Sequence, residues 1–336
     1  MNFLKLSQGI VDGKGYHSRL AGMSGLLASW EFNKAPQLKT FTTGLITDTS
    51  GSNVTVSTTS GSATVTGTGT AFTTTYTLGD KIIITGGDTL TIQSVASDTS
   101  LTATANAATT VSGATFKKQT IRLSYLPDVS GNGYHASQYN FQSQPIWTEQ
   151  GIIIASPTFL EVLPTTGFLN GASGFTIVGV AIPGTGSTDK TFFSCSQSGA
   201  TSNTRARLSF SGTSSNRLRA KCKPQATNTA DIDQLGTTGI TTGTKGVFTV
   251  TYDCASDTAV FYRGATVDKT TTTAYGSTAS IPSADPKTIH IGSDTTLVAP
   301  ATTASFFSSG QSSNVGYLQE VHVFTRALSG AEVALL

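Results

Sequence analysis

The sequence predicts an all-β chain, and three observations carry that expectation. Thr or Ser alternates with apolar residues over many short stretches, as in Val54-Thr55-Val56 and Ala63-Thr64-Val65-Thr66. That period of two marks a strand with one buried face. Charged residues make up only 12% of the chain, well under the roughly 25% usual for soluble domains. Thr, Ser and Gly must therefore supply the polar surface, and a Thr-rich chain poor in Lys and Glu favours sheet over helix. Finally, Gly and Asp turns recur between the short strands of residues 40–119, at the spacing of roughly 8–12 residues typical of a small barrel or sandwich.

The 336 residues have room for about two domains. Residues 1–25 read as an arm with scattered apolar residues and no periodic core face. Leu26-Leu27-Ala28-Ser29-Trp30-Glu31-Phe32 is the first strand expected after it. In residues 40–119, Gly67-Thr68-Gly69-Thr70-Ala71-Phe72 is a turn leading to an aromatic anchor. Gly79-Asp80-Lys81 feeds Ile82-Ile83-Ile84, Gly86-Gly87-Asp88 feeds Leu90-Thr91-Ile92, and Ser97-Asp98-Thr99-Ser100 feeds Leu101-Thr102-Ala103. Beyond residue 120, Asp128-Val129-Ser130-Gly131-Asn132-Gly133-Tyr134-His135-Ala136 is a turn rich in residues that tolerate positive φ. Gly174 to Val180, Val247 to Asp253, Ala259 to Arg263 and Gly316 to Phe324 are strands, and Ser329 is placed to cap a short closing helix.

Taken in order, Trp30-Glu31-Phe32, Asp128 to Ala136, Gly174 to Val178, Val247 to Asp253, Phe261 to Gly264, Ile289-His290-Ile291-Gly292 and Gly316 to Glu332 resemble the motif series of the concanavalin A-like, laminin-G-like jelly roll. The resemblance implies a jelly-roll β-sandwich formed by residues 26–39 and 120–336. Residues 40–119 would then be an inserted small β-barrel or β-sandwich domain. They resemble the small Thr/Gly-rich β modules inserted in bacteriophage tail and fibre proteins. Gln319 stands where the family has Asp, and Ala136 where it has Gly. The loss of an acidic ligand puts a calcium site in doubt, so no cofactor or metal is expected.

Glycanases share this jelly roll, so catalysis has to be weighed. Glycosidic cleavage needs two positioned carboxylates. Asp231 and Asp233 have strand spacing, but Asn228 to Gly236 reads as a polar loop. Glu320 has no acidic neighbour in sequence. His17, His135, His290 and His322 lie far apart, with His290 and His322 in strands. No G-x-S-x-G, P-loop or HExxH motif occurs. The chain is accordingly read as a non-enzyme with no catalytic residues. Cys195, Cys222 and Cys254 have neither an even number nor a metal spacing and read as reduced core thiols.

The binding candidates are basic. Around the turn Ser211 to Ser215, alternation puts Leu208, Phe210, Leu218, Ala220 and Cys222 on one face. Arg205, Arg207, Arg217, Arg219, Lys221 and Lys223 fall on the other. Like charges facing across a hairpin repel, so this ribbon suggests an anionic counterpart, with a merely solvated face as the alternative. Tyr134, Tyr139, Phe141 and Trp147 are candidates for a sugar-stacking surface, although Trp147 reads more readily as core.

The net charge of +2 gives no argument for nucleic acid, and no apolar run is long enough for a membrane span. The start, Met1 to His17, lacks the basic-then-apolar order of a signal peptide. Together with the phage-like insert, these features lead to the expectation of a bacteriophage virion protein made in the host cytoplasm. Tail fibre, baseplate subunit or head-decoration protein would all fit. It would form a homo-oligomer, with a trimer as one form, and its partners would be other virion proteins and a host-surface glycan. A carbohydrate-binding lectin module is the alternative, and a glycan-cleaving enzyme the third reading.

Overall fold

The computed structural model describes residues 20, 23–32, 40–46, 54–76, 79–140, 143–148, 150–153, 158–163, 166–184, 190–197, 204–211, 217–222, 232–272, 280–281, 287–293 and 316–336. Two antiparallel sheets enclose the main core. The back sheet runs in the order β1 (Leu26–Glu31), β23 (Tyr317–Phe324), β14 (Gly174–Ile182), β19 (Gly246–Asp253), β20 (Thr258–Arg263) and β21 (Thr266–Thr272). The front sheet begins with β9 (Phe116–Leu126), β10 (His135–Ser137), β13 (Leu160–Leu163) and β22 (Lys287–Ile291). It continues with β15 (Lys190–Gln197), β16 (Thr204–Phe210), β17 (Leu218–Cys222) and β18 (Ile232–Leu235). A hairpin of β11 (Ile146–Thr148) and β12 (Gly151–Ile153) bridges the sheets, pairing Ile152 with Leu318 of β23 and Ile146 with Arg122 of β9. The fold is the expected all-β jelly-roll sandwich, with the first and last strands side by side.

Alternation explains what each sheet buries. Ala28, Trp30, Val321, Val323 and Ile177 of the back sheet point inward, against Leu160, Val162, Phe193, Leu208, Phe210, Leu218 and Ile289 of the front sheet. The Trp30 and Phe193 rings stack at 6.1 Å, and Trp30 Nε1 donates to the Tyr134 carbonyl at 2.8 Å. Each fully buried aromatic of this kind contributes about 2–3 kcal/mol. The thiols of Cys195 and Cys254 are buried in the same core, while the Cys222 side chain lies outside the described residues.

β14 and β23 read as nearly continuous apolar runs because their outward faces are also covered. Leu20, Val178, Tyr262, Phe324, Leu328 and Val333 form a second cluster there. Leu20 belongs to the arm of residues 1–25, yet it is fully buried. The end of the arm therefore packs on the outward face of the back sheet; its first 19 residues lie outside the described set.

Two polar clasps hold the sandwich closed. In the turn after β9, the Asp128 carboxylate accepts from the backbone N–H groups of Ser29, Ser130 and Tyr134 at 2.9, 2.9 and 3.1 Å and from Ser130 Oγ at 2.7 Å. Asn132 Nδ2 donates to the carbonyls of Leu26 and Leu27. The Asp-x-Ser-Gly-Asn-Gly motif is thus a fastening of the turn to β1. On the opposite side, Lys269 of β21 donates to Gln234 Oε1 and the Leu235 carbonyl of β18, at 2.9 and 3.0 Å. Asp268 accepts from the N–H groups of Thr237 and Thr238 at 3.0 and 3.2 Å. Both strands are sheet edges, and these bonds knit them together.

Residues between β1 and β10 build a smaller body. β2 (Thr40–Ile46) runs along β9, and the ladder β8 (Val111–Ala114), β3 (Thr55–Thr58), β4 (Thr64–Thr68), β7 (Ser100–Ala103), β6 (Thr89–Ser97), β5 (Lys81–Ile84) and β9 wraps a separate core. That core holds Val56, Val65, Phe72, Tyr76, Ile82, Ile92, Leu101 and Phe116. Phe72 opens the helical turn α1 (Phe72–Thr75), so the anticipated aromatic anchor is indeed buried.

β9 runs unbroken through residue 120. Phe116 lies in the small core and Leu123 and Leu126 in the large one. At this junction Lys118 Nζ sits 2.7 Å from the fully buried Asp80 carboxylate and 2.5 Å from the Thr75 carbonyl. Gly79, at φ +85°, lies so close to Thr148 of β11 that a Cβ would be 2.3 Å from the Thr148 methyl.

Candidate functional site

The front sheet turns its other face outward, and the register assembles a row of polar side chains across it. On β10, Ser137 stands opposite Tyr125 of β9 and Glu161 of β13. Glu161 stands opposite His290 of β22, which stands opposite Ser194 of β15. Ser194 faces Arg207 of β16, Arg207 faces Lys221 of β17, and Lys221 faces Asp233 of β18. Cross-strand partners of this kind have Cβ atoms about 5 Å apart. Sequence reasoning found the right-hand part of this row and missed the left, because only tertiary pairing brings His290 and Glu161 together across some 130 residues of chain.

The basic end differs from its reading in sequence. Leu208, Phe210, Leu218 and Ala220 do face the core, and the cations do alternate with them. Arg207, however, is only 2% exposed, with Nε donating to Ser209 Oγ at 3.3 Å. It cannot serve as an open cation, because Ser194 and Ser209 around it are fully buried as well. Arg217 is half-buried, with Nη1 3.5 Å from the Gly236 carbonyl.

Asp233 is not in a loop. It lies on β18 and neutralises its neighbours. Arg219 forms a bidentate pair with it, at 2.7 Å from Nε and 2.5 Å from Nη2, and Lys221 Nζ is 3.4 Å away. Burial pushes the Asp233 carboxyl up, but the Arg219 hydrogen bonds and the charges of Lys221 and Arg219 more than reverse this and hold it below its ordinary value. The repulsion expected within the ribbon is therefore relieved inside the sheet. The side chain of Arg205, all of Lys223, and Asp231 lie outside the described residues.

The other end of the row is aromatic and open. Tyr139 is 86% exposed. Its loop is fixed by the Gln138 N–H, which donates to the Ser124 carbonyl at 2.8 Å, and by Gln144 Nε2, which donates to the Gln138 carbonyl at 2.9 Å. Gln138 Nε2 also reaches the Phe159 carbonyl at 3.5 Å. Phe159 packs on the His290 ring at 4.5 Å, and Tyr125 on the His135 ring at 5.6 Å. Glu161 is exposed between them. Of the other aromatic candidates, Tyr134 and Trp147 pack against the core, with Trp147 Nε1 donating to the Phe32 carbonyl at 2.8 Å. Phe141 lies outside the described residues.

The back sheet holds a second polar set that sequence reasoning did not find. Glu320 has an acidic neighbour after all: Glu31 stands opposite it across β1 and β23. His322 Nε2 lies 3.1 Å from Glu320 Oε2, and His322 Nδ1 lies 2.8 Å from Ser29 Oγ. Hydroxyl, imidazole and carboxylate in a chain have the composition of a hydrolytic triad. Ser29 and His322 are both 0% exposed, and the chain of hydrogen bonds fastens the first strand to the last. Among the described residues, no group of His, Cys, Asp and Glu side chains is arranged to hold a metal ion, and no helix is long and apolar enough to cross a membrane.

No family model matches the sequence, and no curated protein matches it. Several solved structures overlap parts of the chain. The CBM40 domain of the Ruminococcus gnavus IT-sialidase, bound to α2,3-sialyllactose, is 12% identical with a TM-score of 0.43 and covers 55% of this chain and 95% of its own. A heptameric SAP-like pentraxin of Limulus polyphemus is 16% identical with a TM-score of 0.39, covering 54% of this chain and 78% of its own. A botulinum neurotoxin type C structure, whose description ties cell entry to two ganglioside molecules, is 13% identical with a TM-score of 0.40 and covers 62% and 47%. At these identities no ligand passes from them to this chain, and the fold assignment rests on the strand pairing.

Proposed function

We propose that this chain is a carbohydrate-binding module that uses the outward face of the front sheet, and that it binds without cleaving. One observation carries the reading: Tyr139 is 86% exposed on a loop held in place by hydrogen bonds, two residues beyond Ser137, whose cross-strand partner Glu161 is exposed as well. An aromatic ring offers a flat face to the C–H side of a pyranose, and a carboxylate accepts from its hydroxyls. The test is a glycan array with the native chain and with Tyr139→Ala. Binding that falls at least about tenfold in the variant, with the melting temperature unchanged, supports the reading. Equal binding by both proteins removes the face from consideration.

A virion subunit is the second reading. Support for it comes from the Gly-Thr-Gly-Thr, Gly-Asp and Ser-Asp-Thr-Ser motifs of the small barrel, which resemble phage insert modules. The mass of the purified chain by light scattering, with and without residues 1–19, tests it. A defined oligomer supports a particle subunit, and a monomer in both forms counts against one.

A further inference from the structure

The charge layout of the front-sheet face says which glycans it takes. Sequence reasoning places an anionic partner at the basic ribbon. Among the described residues the cations of the ribbon are held down: Arg207 is 2% exposed, Arg217 is half-buried, and Arg219 and Lys221 share Asp233. The open end of the same face carries the exposed Glu161, paired across strands with Ser137, two residues before the exposed Tyr139. A sugar carboxylate or sulfate docking beside Glu161 would meet a like charge, whereas paired hydroxyls of an uncharged sugar would find a strong acceptor. Resting on the glycan-binding reading above, we infer that this face selects uncharged glycans and rejects acidic ones.

Asp233 is the element that enforces the rejection. It occupies the guanidinium edge of Arg219, the group best shaped to grip a carboxylate or sulfate in two places. Removing its charge should expose Arg219 and Lys221 together. The strand position of Asp233 is exposed, and exposed substitutions on a formed strand seldom disturb folding.

The experiment compares two panels on one array: neutral hexose and N-acetylhexosamine oligomers, and sialyllactose with heparin oligosaccharides. The native chain should bind neutral members and ignore acidic ones. Glu161→Gln should weaken neutral binding about tenfold, the loss of a charge-assisted hydrogen bond. Asp233→Asn should gain heparin binding that fades as salt rises from about 0.05 to 0.15 M and should leave neutral binding unchanged. Should Asp233→Asn fold poorly, the double variant Arg219→Ser/Lys221→Ser serves instead, with neutral binding expected to match the native chain. A native chain that prefers the acidic panel overturns this inference and leaves the glycan-binding reading standing. Silence on both panels removes that reading, and this inference with it.

Discussion

The small barrel and the sandwich are built from the same alternating Thr-rich strands but reach stability by different routes. In the barrel, hairpin partners lie near one another in sequence, as Lys81 with Thr91, Val95 with Leu101 and Val56 with Gly67, and even the β3–β8 ladder spans only the 58 residues from Val56 to Ala114. Its core is small and centres on the Phe72, Tyr76 and Phe116 rings, with Phe72 and Tyr76 at 5.6 Å. The sandwich joins residues far apart, such as Trp30 with Val321 and Thr176 with Phe324, and needs clasps at Asp128 and Asp268 to hold its edges. Local pairing forms with little loop-closure entropy, while distant pairing must be secured by a larger core. The two bodies share β9, so their stabilities are linked through one strand and one buried ion pair.

The strongest way to break this pairing is Phe72→Ala. Removing a buried phenyl ring costs about 4 kcal/mol, a large part of what a body of this size can supply. Amide exchange in β4, β6 and β7 should rise to open-chain rates while β14 and β19 stay protected. If all these strands lose protection together, the bodies form one cooperative unit through β9, and the comparison fails.

The junction comes next. Lys118→Ala leaves the Asp80 carboxylate buried without its nearest cation, and breaking a buried pair in this way costs about 3 kcal/mol. Arg122 feels the same carboxylate: burial lowers its pKa and the charge of Asp80 opposes that. A double-mutant cycle with Asp80→Asn should recover part of the loss. A stability for Lys118→Ala within about 0.5 kcal/mol of native would show that the pair does not hold the junction.

The same contrast explains what could be read from sequence. Strands β3 to β7 were legible because each sits beside a hairpin partner, and the Phe72 anchor follows directly from its turn; β8, which pairs with β3 from some 55 residues away, was not. In the sandwich, β14, β19, β20 and β23 were legible from their motifs. β15 was not, since Lys190-Thr191-Phe192-Phe193-Ser194-Cys195 is buried on both faces and so lacks a period. β18 was missed because Ile232-Asp233-Gln234-Leu235 resembles the polar residues around it. The compensation of the basic ribbon by Asp233, and the meeting of Glu31 with Glu320, depend on register between distant strands. No local pattern encodes register of that kind.

The smallest effect belongs at the closing turn of the sandwich. The helical turn α2 (Gly330–Val333) starts at Ser329, whose Oγ accepts from the Glu332 N–H at 3.3 Å while Glu332 Oε2 accepts from the Ser329 N–H at 2.8 Å. Ser329→Ala removes one half of this reciprocal cap and should cost about 1 kcal/mol. The Arg326 hydrogen bond, with help from the Ser329 N–H, holds the Glu332 carboxyl at about 2. Because that value lies below the ordinary 4.5, the contribution is complete above the ordinary value and fades as pH falls toward 2. Denaturant titrations at pH 7 and pH 3 should therefore show the native chain losing stability relative to Glu332→Gln, which has no charge to lose. The barrel, whose core is far from this turn in sequence, should keep its exchange protection throughout. A Glu332→Gln chain that weakens in parallel with the native one would place the acid sensitivity elsewhere, at Asp268 or Asp233, whose carboxyls are also held below their ordinary values.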